Sequence, residues 1–93
     1  MKFDHIGWCK QDNHDKVWGI IRLHNNNCVT FWGRRGAKLQ TKMVTANWYE
    51  AEEMFHKKRN KGYKEIKEWE LDEVYPEFRQ DLEKTAVWAM LSV

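Results

Sequence analysis

The chain has 93 residues, 14% aromatic and 32% charged, so it is the size of one domain and too short for most multidomain enzymes. Six Trp, four Phe and three Tyr can fill a core in so short a chain, which argues against disorder. The formal net charge is +2, but residues 31–67 carry ten Lys and Arg against four acids, and residues 68–93 carry two against seven. This division suggests a basic surface facing nucleic acid, or two solvated faces of opposite charge that attract each other in the fold.

Four short segments rich in β-branched and aromatic residues predict strands in the first half of the chain. They cover residues 3–9, 17–23, 28–34 and 38–44. Polar or glycine-containing segments at 10–15, 25–27 and 35–37 separate them and are typical of turns. Short connections between successive strands predict an antiparallel meander.

A helix is predicted to begin after Asn47, because an N-cap residue followed three positions later by Glu50 is the pattern of a capping box. Gly62 is the predicted stop. The residues expected on one face of this helix are Trp48, Ala51, Phe55 and the stem of Lys58.

The rest of the chain predicts a second helix that begins at Pro76. Its expected buried stripe is Phe78, Leu82, Ala86 and Ala89, widened by Val87, Met90 and Leu91. We expect part of this apolar surface, around Trp88 and Met90, to serve self-association or a protein partner. For residues 63–75 the sequence allows either a last strand or a helical extension. The predicted fold is therefore α+β, a small twisted antiparallel sheet with one helix across it and an added C-terminal helix, all in one domain.

Side chains alternate along the third strand, so Val29 and Phe31 are expected in the core and Trp32 and Arg34 on the opposite, outer face. By the same alternation Gln40 and Lys42 of the fourth strand join that face, and Arg35 and Lys38 lie in the turn beside it. An indole ringed by cations suits stacking on a sugar or an unpaired base while Lys and Arg hold phosphates. The alternative for Trp32 is an edge-strand aromatic side chain that the C-terminal helix covers.

The signature Phe31-Trp32-Gly33-Arg34-Arg35-Gly36, followed by Gln40, resembles that of the WGR domain family. The resemblance extends to the strand at Val17–Leu23, to Ala51 and Phe55 with the lysines at 57–58, and to Lys61-Gly62-Tyr63. It covers roughly residues 16–66 and leaves 67–93 as an extension. The chain departs from the family where Leu39 stands in place of a second glycine.

The resemblance implies a small antiparallel sheet with a helix across it and a module that binds DNA near strand breaks. Carried over by position, it places Trp32 on the nucleic acid and Arg34 at a contact with nucleic acid or a partner. No segment matches the ADP-ribosyltransferase domain that accompanies this module in poly(ADP-ribose) polymerases.

A second basic cluster follows the middle of the predicted helix. It contains Lys57, Lys58, Arg59, Lys61, Lys64 and Lys67. One interpretation is stabilisation of the helix C-terminus, where cations complement the helix dipole. The other is phosphate binding, for which Lys57, Lys58 and Lys61 are the candidates.

Catalytic and metal-binding patterns are weak in this sequence. Ser92 is the only serine and lies at the chain end, which leaves no serine triad, so we expect no enzyme. His5 with Cys9 and His24 with Cys28 are zinc-type ligands, but strand positions four apart are roughly 13 Å from each other, so we expect no metal and no cofactor.

No run approaches the roughly 18 apolar residues of a membrane span, and the N-terminus lacks a signal-peptide core, so we expect a cytoplasmic protein with a nuclear location left open. Cys9 and Cys28 are then expected as reduced thiols, with one disulfide as the alternative. The function we expect is binding of DNA, including ends or nicks, without catalysis. The alternative is a protein-interaction module that docks on a nucleic-acid enzyme. The sequence does not distinguish between DNA and RNA as the nucleic acid that is bound.

Overall fold

The computed structural model describes the backbone of residues 2–91 and the side chains of residues 2–89. The strands are β1 (Lys2–Gln11), β2 (His14–Arg22), β3 (Asn27–Arg34), β4 (Gln40–Thr45) and β5 (Lys64–Glu65). The helices are α1 (Trp48–Asn60), α2 (Glu68–Val74), α3 (Phe78–Glu83) and α4 (Trp88–Leu91). All strand pairs are antiparallel and the sheet order is β4-β3-β2-β1-β5, so the predicted α+β class is confirmed.

The hairpin between β1 and β2 is tighter than predicted. Gln11 pairs with His14, so the turn takes only Asp12 and Asn13 instead of residues 10–15. Asp12 has a φ of 52°, a left-handed conformation that Asp and Asn tolerate. The two strands therefore run on to the tip of the hairpin.

Both faces of the sheet are covered by helices. On the first, α1 packs mainly over β1 and β2, and we call it the α1 face. Its core is Cys9, Trp18, Ile20, Cys28, Ala46, Ala51, Phe55 and Tyr63. The opposite face is covered by α2 and α3, and we call it the α2–α3 face. Its core is Ile6, Val17, Ile21, Phe31, Leu39, Ile66, Leu71, Tyr75, Phe78 and Leu82.

Helix α1 begins and ends as predicted. The Asn47 side chain accepts a hydrogen bond from the Glu50 N–H at 2.8 Å, and the Glu50 carboxylate accepts from the Asn47 N–H at 3.1 Å. At the other end Gly62 adopts a φ of +100°, and its N–H and that of Tyr63 donate to the last carbonyls of the helix. Trp48 differs from the prediction, because it is 71% exposed and contact with the sheet begins at Ala51.

The C-terminal third differs most from the prediction. The segment left open at 63–75 contains both elements, because β5 pairs with β1 and α2 follows it. The prediction of a single helix from Pro76 is wrong, because the chain turns after α3. In this turn the N–H groups of Lys84 and Thr85 donate to the carbonyls of Asp81 and Leu82. Because of this turn, the predicted buried stripe does not continue along the sheet. Phe78 and Leu82 are buried, whereas Ala86 and Ala89 are exposed.

Gly19 in β2 leaves the space that the ring of Phe31 occupies. A Cβ at Gly19 would lie 2.3 Å from Cζ of Phe31, which is itself fully buried. We expect Gly19→Ala to lower the free energy of unfolding by about 1–3 kcal/mol, because an overpacked core must shift. Urea unfolding measures this, with Ala37→Ser in the exposed turn as a control that changes stability by less than about 0.5 kcal/mol. Equal stability of Gly19→Ala and the parent chain would contradict the close contact.

Candidate nucleic-acid interface

Trp32 lies on the α1 face, on the side of β3 opposite Phe31, as strand alternation predicts. The prediction that this is an uncovered outer face is wrong, because α1 packs on it and the Trp32 side chain is half-buried against the α1-face core. Since α1 lies mainly over β1 and β2, it leaves part of β3 and β4 open beside it. The indole is therefore at the border of a covered region rather than on a free platform.

A groove of about 370 Å³ is formed at this border. It is lined by Trp18, Thr30, Trp32, Lys42, Val44, Met54, Lys57, Lys58 and Lys61. Lys42 of the predicted strand surface thus lies at one site with Lys57, Lys58 and Lys61 of the second basic cluster. We call this site the lysine groove.

Lys58 is the most enclosed cation of the lysine groove. Its Nζ lies 5.7 Å from the ring centroid of Trp18 and 6.0 Å from that of Tyr63, distances typical of cation–π contacts. Lys16 of β2 reaches the same Tyr63 ring at 6.0 Å. Burial, and then the neighbouring charges of Lys61 and Lys16, lower the pKa of Lys58. Three ammonium groups therefore converge on one rim of the groove, where they repel each other.

Acidic partners are absent from this rim within the described side chains. Lys16, Lys42, Lys57, Lys58 and Lys61 form no ion pair with any carboxylate there. Arg59, on the other side of α1, pairs with Glu52 at 3.5 Å and with Glu65 at 3.1 Å. The uncompensated positive charge is therefore concentrated on one side of the helix.

Two further predicted residues lie on the same face as the groove. Gln40 is paired with Trp32 across β3 and β4, and Arg34 is paired with Lys16 across β2 and β3, so each side chain starts on the α1 face. Arg34 is exposed and donates to the carbonyl of Asn13 at 3.0 Å. Its guanidinium is held at the tip of the β1–β2 hairpin, next to the lysine rim.

The structure places Lys38 and Arg35 elsewhere. Lys38 lies beside α3, in a separate pocket with Asp81 and Lys84. Leu39, at the position where the resembled family has glycine, is 2% exposed in the α2–α3-face core.

Arg35 is committed to contacts within the fold. Its guanidinium donates to Asp15 at 2.8 and 3.1 Å and to the Val74 carbonyl at 2.6 Å, and it lies 5.5 Å from the Trp8 ring. It thereby ties the β1–β2 hairpin to the end of α2. Neither Arg35 nor Lys38 therefore lines the lysine groove.

Asp15 accepts the hydrogen bonds of Arg35 that connect the hairpin to α2, and its carboxyl group makes the stability of the fold depend on pH. A hydrogen bond from the Trp8 indole and then the Arg35 guanidinium outweigh burial and lower the pKa of Asp15 below 3.8. A carboxyl whose pKa is lowered by folding contributes stability above its unfolded pKa and loses that stability as the pH falls through the folded value. We expect Asp15→Asn to be less stable than the parent at pH 7, and its stability to fall less steeply below about pH 4. Thermal melts from pH 7 to pH 2 measure the stability at pH 7 and its decrease with pH, and Asp72→Asn, at an exposed acid, is the control. Parallel plots of melting temperature against pH for the parent and Asp15→Asn would contradict the prediction.

Several residues at this site were not predicted from the sequence. They are the groove residues Trp18, Val44 and Met54 and the neighbouring Lys16, although the alternation of β2 puts Lys16 and Trp18 on one face. A signal was present in β2, because residues 17–21 are apolar or Gly without interruption, and such a run is typical of a strand buried on both faces.

The predicted partner surface at the C-terminus is only partly described. Trp88 is half-buried against the α2–α3-face core, and its role toward a partner stays a prediction. The Met90 side chain lies outside the described residues. The large aromatic side chains that are more than half exposed are Trp48, Tyr49 and Trp69.

Two of the zinc-type residues, His5 and Cys28, have other partners in the fold. His5 lies between Glu52 and Glu65, at 2.8 and 2.9 Å, and stacks on Phe55. Cys9 and Cys28 are free and buried, and the Cys28 Sγ donates to the Ala46 carbonyl. Among the described residues, no three His, Cys, Asp or Glu side chains are arranged to hold a metal ion.

The chain was compared with protein-family models, with curated proteins and with solved structures, and none of the three comparisons finds a match. The likeness to the WGR family therefore depends on the signature residues quoted above. In the part of the chain that the structure describes, no helix has both the length and the apolar character needed to cross a membrane.

Proposed function

We propose that this chain is a non-catalytic module that binds nucleic acid, DNA in the first place, through phosphates held along the lysine groove. The observation that carries this proposal is that Lys42, Lys57, Lys58 and Lys61 line one groove with Trp18 and Trp32, while Lys16 lies near Lys58 at the Tyr63 ring. No described carboxylate forms an ion pair with any of these lysines. A polyanion gains from such a rim because each neutralised phosphate releases condensed counterions.

Electrostatics within the rim favours a bound anion. Burial and two like charges disfavour the ammonium form of Lys58 in the free protein. A phosphate next to Lys58, Lys61 and Lys16 replaces this repulsion by attraction. Binding therefore relieves an unfavourable arrangement that the fold itself maintains.

The resemblance to the WGR family supports the same surface. Trp32 of the signature lies in the groove, and Arg34 lies at the hairpin next to it. DNA ends or nicks, the targets that the resemblance implies, expose both phosphates and unstacked sugars. We place this binding inside the cell, in the cytoplasm, where Cys9 and Cys28 stay reduced.

A second candidate function is docking on a basic protein segment, and it depends on a different surface. Trp69 of α2 is 63% exposed and is surrounded in sequence by the exposed acids Glu68, Asp72 and Glu73. An indole among carboxylates suits Lys- or Arg-rich peptides. This surface is separate from the lysine groove, so the two functions can be tested independently.

Titration of labelled blunt, nicked and single-stranded DNA, and of single-stranded RNA, tests the proposal at low and at moderate salt. We expect log affinity to fall linearly with log salt, with a slope of about −3 to −4 if three to four lysines contact duplex phosphates. Fluorescence anisotropy measures the affinities. No binding at low salt, or binding that does not change with salt, would contradict the proposal and favour the protein-docking candidate.

A further inference from the structure

The lysine groove is divided by depth into an apolar floor and a charged rim. Trp18 and Thr30 of the floor are 5% and 6% exposed, and Trp32, Val44 and Met54 beside them are half-buried. Lys42, Lys57 and Lys61 are exposed. Apolar surface thus lies below and ammonium groups lie above.

The floor offers little to a phosphate. The Thr30 hydroxyl already donates to the Lys42 carbonyl at 3.2 Å, and the Lys58 ammonium lies over the Trp18 and Tyr63 rings at the border of the floor. The rest of the floor is an indole with aliphatic and thioether side chains. A phosphate held by the rim therefore leaves this apolar surface unfilled.

The bases of an intact duplex cannot fill it either. They are stacked inside the double helix, so a duplex presents only its sugar-phosphate backbone to a groove of this kind. An unpaired nucleotide presents both parts, since its phosphate can stay with the lysines while its flat base enters the groove that Trp32 and Met54 line. Base stacking on aromatic side chains is favourable and tolerant of sequence.

We infer that the lysine groove is a subsite for an unpaired nucleotide of a single strand, with the base on the floor at Trp32 and the flanking phosphates on the lysine rim. This inference rests on the proposed function and narrows it to single-stranded nucleic acid or to unpaired positions at ends and gaps. The volume of about 370 Å³ is within the range of small-ligand sites, which suits one nucleotide rather than a stack of several.

The test compares two labelled 12-mers of equal charge at low salt: oligothymidylate, and the same backbone with abasic positions. We expect the parent protein to bind oligothymidylate at least about fivefold more tightly, the low end of the range for one stacked base. Trp32→Ala should remove this difference and leave the affinity for the abasic strand within about twofold. Trp32→Phe keeps an aromatic ring and should retain most of the difference. Trp69→Ala, which removes an exposed Trp outside the groove, should retain all of it.

Each outcome decides a separate point. Equal affinity of the parent for both strands overturns the unpaired-base subsite, even if Trp32→Ala fails to fold, because that comparison needs no variant. If both strands then bind in a salt-dependent way, phosphate binding stands and only the subsite falls. If neither strand binds, the proposed function falls with it. An equal loss for both strands in folded Trp32→Ala would mean that the indole supports the rim rather than a base.

Discussion

Replacing Lys57, Lys58 and Lys61 together by Gln should abolish most nucleic-acid binding and leave the fold intact. The three lysines form the helix side of the lysine groove and have no described acidic partner, so their removal breaks no ion pair. Each phosphate contact with duplex DNA adds about 0.9 to the slope of log affinity against log salt. Relative to about 1 M salt, this corresponds to roughly tenfold in affinity at about 50 mM salt. Loss of three contacts should therefore weaken binding by on the order of a thousandfold and flatten the slope by about 2.7.

The matched control removes three lysines outside the groove. Lys64→Gln, Lys67→Gln and Lys84→Gln together lower the net charge equally, but Lys64 lies on β5 at the opposite edge of the sheet from β4 and Lys84 follows α3. We expect a loss of less than about tenfold from the control, because exposed charges away from the contact are screened within a Debye length of about 10 Å. Similar losses in both triple variants would show that net charge, not the groove, drives binding.

The second large effect concerns the C-terminal extension. Phe78 of α3 is 2% exposed, and its ring centroid lies 4.9 Å from that of Phe31 and 5.7 Å from that of Tyr75. We expect Phe78→Ala to lower the free energy of unfolding by about 3–5 kcal/mol, because truncation leaves a cavity in the α2–α3-face core. That is a large share of the 5–15 kcal/mol typical of a small domain. Urea unfolding followed by circular dichroism measures the change.

Trp69→Ala is the matched control for Phe78→Ala, since it removes a large aromatic side chain from the same extension at a position that is 63% exposed. It should change stability by less than about 0.5 kcal/mol. A fragment that ends at residue 67 should fail to fold, because it lacks the side chains that cover Phe31 and Ile21. A cooperative melt of that fragment near the temperature of the full chain would show that residues 1–67, which include the part resembling the WGR family, form a core without the C-terminal extension.

Features that depend on near neighbours along the chain are predictable from the amino-acid sequence. The capping box of Asn47 and Glu50, the stop at Gly62 and the placement of Phe31 and Trp32 on opposite faces of β3 follow from local backbone geometry and a period of two. The charge of the middle segment also follows directly from the sequence.

How these parts combine depends on packing between elements that are distant in sequence. Strand alternation shows that Trp32 and Phe31 face apart but not whether one face is open, because that depends on where α1 and the C-terminal segment pack. The predicted length of the last helix is wrong for a related reason. Phe78 and Leu82 pack against the sheet and the helix ends at Glu83, although the apolar pattern continues beyond it.

The lysine groove is the clearest case of a site made by long-range packing. Lys42 and Lys61 are 19 residues apart in sequence, and no local pattern relates them. They line one groove because Phe55 packs over β1 and β2, with Gly7 leaving space for its ring, and so directs Met54, Lys57 and Lys58 toward β3 and β4. A period of two or 3.6 places residues on a face of their own element, whereas the distance between faces of different elements is set only when the core closes.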